Sequence, residues 1–463
     1  MKEVLVIFKT HLDLGFTDLA ENVLKNYLEN YIPNAIKVGY ELKGTGTEFI
    51  WTTGSYLVTQ ALAHDDGTVE RAICDGIIRW HALPFTTHTE LMTPKLFDYG
   101  ASLSSALDRR FGKKTIAAKM TDVPGHTIGM IPILKRRGVE FLHIGVNPAT
   151  PLPDVPPLFK WRCGNDEITV IYQGDYGTET EIDGTVIYFA HTGDNRGPQS
   201  AEKIVEIFDE IKAKYPGYVV RAATLEDVAL KLRDVKNLPV VDKEIGDTWI
   251  HGAGTDPKKV SMYRDLLRKT ADFDYEKYDL SNSLLAIPEH TWGKNLDVFF
   301  HNASDYYEKD RQKPHNKEGV EALEQSWAEQ RNYITAAEKK LGVKAEYETN
   351  LPDLTGFADS EPFKLNFSIS WQVYDAWDYE RYKNVYLRFT KENIGWAIWD
   401  NIKQGLPDDY SGKIYDAKPY RFCKNGDKYI VFFKFDDDVA EKFGLPVFTA
   451  EYDGETLFVK WHG

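Results

Sequence analysis

Several short stretches of this chain put imidazoles and carboxylates at spacings that suit metal or acid–base chemistry. In His11-Leu-Asp13 the two side chains stand at i and i+2, so in extended chain they project to the same side. They follow the apolar run Val4–Phe8 and would converge just beyond its end. A His with an Asp suits zinc or a related divalent ion; a plain His–Asp hydrogen bond would use the same pair. In Asp122-Val-Pro-Gly-His126 the Pro and Gly force a tight turn and present Asp122 at its start, as a functional carboxylate or as a helix cap. Thr192-Gly-Asp194-Asn-Arg-Gly-Pro198 offers a further acid, or a polar turn. Trp249-Ile-His251-Gly252 offers a second imidazole, or a surface loop histidine.

The elements that must position these residues alternate along residues 1–250. Strand-like runs recur at Val4–Phe8, Glu48–Thr52, Ile77–His81, Thr115–Thr121, Glu140–Ile144, Val186–His191 and Tyr218–Ala222. Helical patterns lie between most of them, at Tyr56–Cys74, Lys95–Phe111, Thr127–Arg137 and Ala201–Tyr215. Asp18-Leu-Ala-Glu21 reads as a capping box opening a helix that Pro33 interrupts. Alternation of this kind means a parallel sheet with right-handed crossovers. Seven units suit a seven-stranded (β/α) barrel, with an open doubly wound sheet as the alternative. The prolines from Pro151 to Pro157 make a rigid loop, and Leu158–Gln173 reads as an added hairpin.

The expected organisation is an α/β barrel over 1–255, a small helical bundle over 256–345 with a loop near Pro314, and a β-rich, sandwich-like domain over 346–463. Val320, Leu323, Trp327, Ile334, Ala337 and Leu341 supply the apolar stripe of the bundle. Lys364–Trp371, Tyr429–Phe435 and Thr456–Trp461 supply strands of the last domain. The sequence stops directly after a strand, which leaves open whether that domain is complete. In the barrel, His11, Asp13, Asp122, Asp194 and His251 all follow predicted strands, on the end of the sheet where barrel enzymes carry their sites.

Asp and Glu number 71 against 56 Lys and Arg, a net charge of −15, which argues against a protein that grips phosphate backbones. The 3 cysteines, Cys74, Cys163 and Cys423, are far apart and form neither a disulfide framework nor a CxxC zinc site, so a reducing, cytoplasmic setting is expected. The N-terminus reads as a first strand and not a signal peptide. No apolar stretch is long enough to span a membrane.

Taken in order, the motifs resemble glycoside hydrolase family 38, the α-mannosidase-like enzymes, or a branch beside it. His11-Leu-Asp13-Leu-Gly15-Phe16 resembles the family's first-strand His-x-Asp followed by Gly-aromatic. Asp122-Val-Pro-Gly-His126 resembles its Asp-Pro-Phe-Gly-His, Gly193-Asp194 its Gly-Asp loop, and Ile250-His251-Gly252, in part, its late His-His-Asp. The resemblance covers about the first 340 residues. It implies a zinc-dependent retaining glycosidase acting on α-mannoside-like substrates, with cobalt or calcium as alternative ions. His11, Asp13, Asp122 and His251 would hold the metal, Asp122 would also be the nucleophile, and Asp194 the general acid/base. The sequence departs from the family where Phe16 replaces a Trp, Val123 and Pro124 rearrange the turn, Gly252 replaces an Asp, and Asn195 stands where some members carry a second Asp.

His81, His88 and Glu90 are candidates to contact sugar hydroxyls, and Trp51, Trp249 and Trp292 to stack on a sugar face, although core burial is the commoner fate of a Trp. Pro288-Glu-His-Thr-Trp-Gly293 reads as a loop returning to the cleft. The expected partner is a carbohydrate, with neither nucleic acid nor membrane, and self-association is left open. A catalytically inactive carbohydrate-binding barrel is the alternative from another class. A metal-dependent deacetylase would want His-x-x-x-His, and an amidohydrolase His-x-His on the first strand; Asp13 argues against the latter.

One divalent ion per chain is therefore expected in the purified protein, and elemental analysis measures it. His11→Ala and His251→Ala should each lose the ion; full occupancy in both variants would overturn the ligand set as drawn.

Overall fold

The run at the N-terminus is buried on both faces because its alternate residues feed different cores. In β1 (Glu3–His11), Val4, Val6 and Phe8 pack against helices, while Leu5 and Ile7 face a second cluster. The computed structural model describes residues 2–295, 317–345, 354–362, 365, 367–373, 385–391, 413–436, 447–452 and 457–462. After β1 come β2 (Trp51–Gly54), β3 (Ile78–His81), β4 (Ala117–Asp122), β5 (Phe141–Val146), β6 (Leu158–Cys163) and β7 (Asp166–Gln173). They are followed by β8 (Glu179–Ile182), β9 (Thr185–Asp194), β10 (Val219–Ala222) and β11 (Val240–Val241).

These strands form two sheets. One has the order β3-β2-β1-β9-β8, with β10 on the first half of β1; the other runs β11-β6-β7-β5-β4. β1 is parallel to β2, β9 and β10, and β5 is parallel to β4 and β7. The amide of Ala82, just after β3, donates to Ala117 O at the start of β4 (2.9 Å), linking the sheets at that edge. Leu5 and Ile7 from one sheet meet Ala117, Phe141 and Ile171 from the other, with Ile187 and Phe189, in a shared core. All seven strand-like runs of the sequence appear, as β1–β5, β9 and β10. The hairpin read as an attachment is β6–β7, and β7 is built into the second sheet beside β5. Its Val170 and Ile171 serve different cores, so the strand is apolar on both faces and cannot hang at the surface.

Helices cover these sheets. α1 (Ala20–Asn26) passes through a π turn at Tyr27–Tyr31 into α2 (Ile32–Leu42). Pro33 sits in the first turn of α2, directly after the π turn, and the helix runs on through it where the sequence suggested a break. The expected helix over 56–74 is two, α3 (Ser55–Ala63) and α4 (Thr68–Cys74), parted at Gly67, whose φ is 97°. α5 (Pro94–Phe111), α6 (Met130–Arg136), α7 (Ala201–Lys214), α8 (Leu225–Leu232) and α9 (Pro257–Lys269) follow. α10 (Lys317–Leu341) buries Leu323, Ile334, Ala337 and Leu341. Residues 1–295 and 322–346 make one compact unit. The loop expected near Pro314 lies outside the described residues.

In the second unit the described strands all belong to one antiparallel sheet. Its main path joins Val385–Lys391, Phe367–Val373, Lys413–Asn425, Lys428–Lys434, Val447–Tyr452 and Leu457–His462 in that order, and Ala358–Asp359 pairs with the long strand Lys413–Asn425. Among the described residues no helix is long and apolar enough to cross a membrane, and all three cysteines are free.

The start of α1 shows tertiary structure replacing a local signal. The capping box expected from Asp18 and Glu21 does not form. Both orphan amides, Ala20 N and Glu21 N, donate to the carboxylate of Glu329 at 2.7 and 2.8 Å. Asp18 accepts from Leu19 N and Asn22 Nδ2 and pairs with Lys294. Removing Glu329 strips this cap and its favourable charge at the helix N-terminus. Glu329→Ala should cost about 1 kcal/mol in urea unfolding and speed hydrogen exchange at Ala20 and Glu21; unchanged exchange at both amides would refute the capping role.

Candidate metal and catalytic site

At the C-terminal end of β1 the odd-numbered side chains that face the shared core change from apolar to polar. Leu5 and Ile7 are followed by Lys9 and His11, and on β4 Ala117 is followed by Lys119 and Thr121. Lys9, Lys119 and His143 are all buried. The Lys9 ammonium donates to Tyr176 O and lies 5.7 Å from the Phe189 ring centroid; His143 stacks on that ring at 3.9 Å. Burial pushes the Lys119 amine down to about 7. Above this layer lies His11, whose Nδ1 is 2.6 Å from Thr121 Oγ1, a hydroxyl that also accepts from Lys119 Nζ at 3.1 Å.

Around His11 Nε2 three side chains converge. Asp13 Oδ1 is 3.0 Å away, His290 Nε2 3.0 Å and Asp122 Oδ2 3.9 Å. His290 Nε2 is in turn 3.0 Å from Asp13 Oδ1 and 3.3 Å from Asp122 Oδ2. One ligand atom from each of the four residues lies within 4.8 Å of the other three. Four donors around a tetrahedral zinc stand about 3.4 Å apart, so these four side chains could hold a small cation between them. The donor chemistry agrees: two imidazole nitrogens with two carboxylate oxygens suit zinc or a related transition ion better than calcium, which prefers oxygen alone. Asp13 Oδ2 is buried and finds no hydrogen-bond partner among the described residues.

The electrostatics also favour a cation. Burial raises the Asp13 carboxyl, but the imidazoles of His11 and His290 outweigh it and bring its pKa to about 2. The same contest holds Asp122 below the usual carboxylate range, with help from Tyr176. Burial lowers the pKa of His290, yet Glu289, Asp122 and Asp13 around it raise it well above the imidazole range. The negative potential at this point therefore holds positive charge despite burial.

Asp122 reaches the cluster by breaking the strand's alternation. Its φ of 81° is left-handed, strained for a non-glycine residue, and turns its carboxylate toward the side on which Thr121 meets His11. Asp122 Oδ1 accepts from Tyr176 OH at 2.7 Å and Asn147 Nδ2 at 3.1 Å. Asp194 is the register partner of His11 across the β1–β9 ladder. Burial raises its pKa; His11 and His290 oppose this, while Asp13 and Asp122 reinforce it.

Asn195, beside it, is a clamp on the loop that carries Asp13. Its Nδ2 donates to Asp13 O, Gly15 O and Thr17 Oγ1 at 2.9–3.1 Å, and its Oδ1 accepts from Asp13 N. The two N–H groups of the amide are shared among these three acceptors, and an aspartate has no N–H to offer any of them, which is a structural reason for Asn at this position.

The other sequence candidates fall in different places. The side chain of His251 lies outside the described residues, and the fourth position of the cluster is held by His290. Trp51 is fully buried and stacks with Tyr27 in the core. His81 is buried, accepts from Leu83 N, and is kept neutral by burial and by Lys119 and Lys9. His88 is a tether: Nε2 accepts from Trp292 Nε1 at 3.0 Å, and Nδ1 is 2.9 Å from Thr248 O and 3.4 Å from a Glu90 oxygen. Trp292 packs against Gly252, where an added Cβ would stand 2.1 Å from the indole, so the glycine is sterically required. Trp249 is half-buried beside Thr248, with a left-handed φ of 56°. Reading the sequence as single motifs missed His290, Tyr176 and Asn147. The signal was present: Tyr176 and Asn147 follow β7 and β5, and His290 lies in the loop that read as returning to the cleft.

A family model described as a domain of unknown function, DUF5054, matches residues 253–354. No curated protein matches the chain. Among solved structures, an alpha-mannosidase from Enterococcus faecalis V583 is similar with a TM-score of 0.51 at 11% identity, over 81% of this chain and 46% of that one. A protein in glycosyl hydrolase family 38 from Enterococcus faecalis gives 0.42 at 10% identity, over 81% and 42% of the two chains. A 4-alpha-glucanotransferase from Thermococcus litoralis gives 0.43 at 11%, over 97% and 87%. The chain spans less than half the length of the two Enterococcus proteins. The likeness to the alpha-mannosidase is one of fold, and the family resemblance read from the motifs is met at that level.

The Asn195 clamp yields a direct test. Asn195→Asp leaves carbonyl acceptors facing a buried carboxylate and should cost about 3 kcal/mol or more, read as a lower urea midpoint. Wild-type stability at neutral pH would overturn the clamp.

Proposed function

We propose that this protein is a metal-dependent retaining glycoside hydrolase acting on α-mannoside-like substrates. The observation that carries the reading is the convergence of His11, Asp13, Asp122 and His290, with one Asp122 oxygen facing the cluster and the other held outside it by Tyr176 and Asn147. Those four residues would hold the ion, with zinc the best match to the donor set. A bound divalent ion supplies Lewis-acid polarisation of sugar hydroxyls and stabilises developing charge. The fold likeness to an alpha-mannosidase supports the choice of substrate class. We further propose that the two sheets are halves of one seven-stranded barrel, β1-β2-β3-β4-β5-β7-β9. The shared core and the Ala82–Ala117 hydrogen bond support this closure.

The chain's own residues then divide the work. Tyr176 and Asn147 aim Asp122 Oδ1 at the anomeric carbon. As the Asp122 C–O bond forms, the glycosidic C–O bond breaks, and the proton held by Asp194 passes to the departing oxygen. Asp194 must begin protonated, which its raised pKa favours. In the second step water attacks the anomeric carbon from the vacated face, Asp194 takes its proton, and Asp122 leaves as carboxylate. Lys119 and Lys9 lie on the strands below; burial lowers the pKa of both amines, and they serve the site as hydrogen-bond donors to Thr121 and Tyr176.

In the metal-loaded protein, Asp122→Asn should abolish hydrolysis of aryl α-mannosides. Asp194→Ala should lower kcat/KM by roughly 10²–10⁴-fold on unactivated substrates, largely spare glycosylation from activated aryl mannosides, and be rescued in the second step by azide. The first product seen by NMR should retain anomeric configuration. An inverted first product, or equal loss on both substrate types without azide rescue, would overturn these roles.

A further inference from the structure

We propose that Glu289 is a positioning residue for the metal site, acting through His290; the proposal rests on reading His11, Asp13, Asp122 and His290 as the metal shell. Glu289 is 1% exposed, and its Oε1 lies 2.6 Å from His290 Nδ1, on the ring edge away from the cluster. Its other oxygen accepts from Thr291 N at 3.1 Å and Thr291 Oγ1 at 2.5 Å. The carboxylate is thus fixed at one end by its own loop and applied at the other to the imidazole. A buried carboxylate without a cationic partner is costly; the His290 ring edge stands at ion-pair distance from Oε1, although neither atom makes a well-aligned hydrogen bond.

The consequence is chemical. A carboxylate at ion-pair distance from Nδ1 favours the proton on that edge and leaves Nε2 to face Asp13, Asp122 and His11 as a ligand, the contact aligning as a hydrogen bond when the ion binds. The rest of the loop is braced to hold this geometry. Thr291 O accepts from Gln330 Nε2 at 3.2 Å, and Gln330 Oε1 accepts from Lys259 Nζ at 2.6 Å. That ammonium also lies 4.2 Å from the Trp292 ring centroid. The two imidazoles of the cluster are therefore backed unequally. His11 Nδ1 faces a neutral hydroxyl on Thr121, whereas His290 Nδ1 faces a full carboxylate. His290 should be the stronger ligand, and Glu289 the reason.

The test measures metal binding without any sugar substrate. Competition titration of the full chain against a chromophoric chelator, with zinc alone and with cobalt alone, should show affinity weakened by roughly 10–100-fold in Glu289→Gln. Glu289→Ala should be weaker still and Glu289→Asp intermediate. The cobalt absorption bands should shift in Glu289→Gln, as one ligand nitrogen loses basicity. Urea unfolding of the metal-free variants separates a merely structural role: a stability loss with unchanged metal affinity and an unchanged cobalt spectrum overturns the proposal. The near-isosteric Gln variant keeps the test decisive if Glu289→Ala does not fold. Wild-type protein that takes up no metal overturns the site reading and this proposal together. Wild-type binding with unaffected Glu289 variants overturns this proposal alone.

Discussion

His11 Nε2 and His290 Nε2 stand 3.0 Å apart with Asp13 and Asp122 oxygens beside them, in a place where all but Asp122 are nearly inaccessible to water. Two imidazole nitrogens this close share either a proton, in an N–H···N hydrogen bond, or a cation, and the two carboxylates beside them favour positive charge at that point. The surrounding structure follows from that requirement. The irregular β1–β9 register between Lys9 and His11, the left-handed Asp122 and the Asn195 clamp each bring a donor to one point.

Concentrating charge in a protein interior has a cost that the layers below help to offset. The shared core is apolar at the level of Leu5, Phe141 and Ile187, basic at Lys9 and Lys119, and acidic with imidazole at the top. Lys119 reaches the cluster through one hydroxyl, Thr121 Oγ1, which places a donor behind His11 without placing a charge against it. Tyr176 links the levels: its carbonyl accepts from Lys9, and its hydroxyl donates to Asp122.

The two sheets contribute His11, Asp13 and Asp122, but His290 comes from the segment after α9, within the stretch matched by the domain of unknown function. That segment is thereby joined to the site chemically and mechanically. Its Thr291 and Trp292 are braced by Gln330, Lys259 and His88, and Trp292 fills the space that Gly252 leaves open. The departures from the family pattern acquire local causes on this view. Gly252 makes room for an indole, and Asn195 supplies N–H donors that an acid cannot.

The strand–helix alternation, the parallel sheets and the acids and imidazoles at strand ends were legible in the sequence. They depend on periodicity and on the i, i+2 geometry of extended chain, which are local. His11 and Asp13 are the clearest case, since two residues on one strand end need no distant partner to converge. Folding decided what depends on residues far apart in the chain. It brought His290 to the fourth position across 279 residues, set Glu329 in place of a local cap on α1, and drew the Leu158–Gln173 hairpin into a sheet. It also sent Trp51 to the core and His81 beneath the site. No local pattern specifies which imidazole completes a cluster, because that choice is made by loop packing, and the packing of 288–293 against Gln330, Trp327 and Gly252 exists only once the chain has folded.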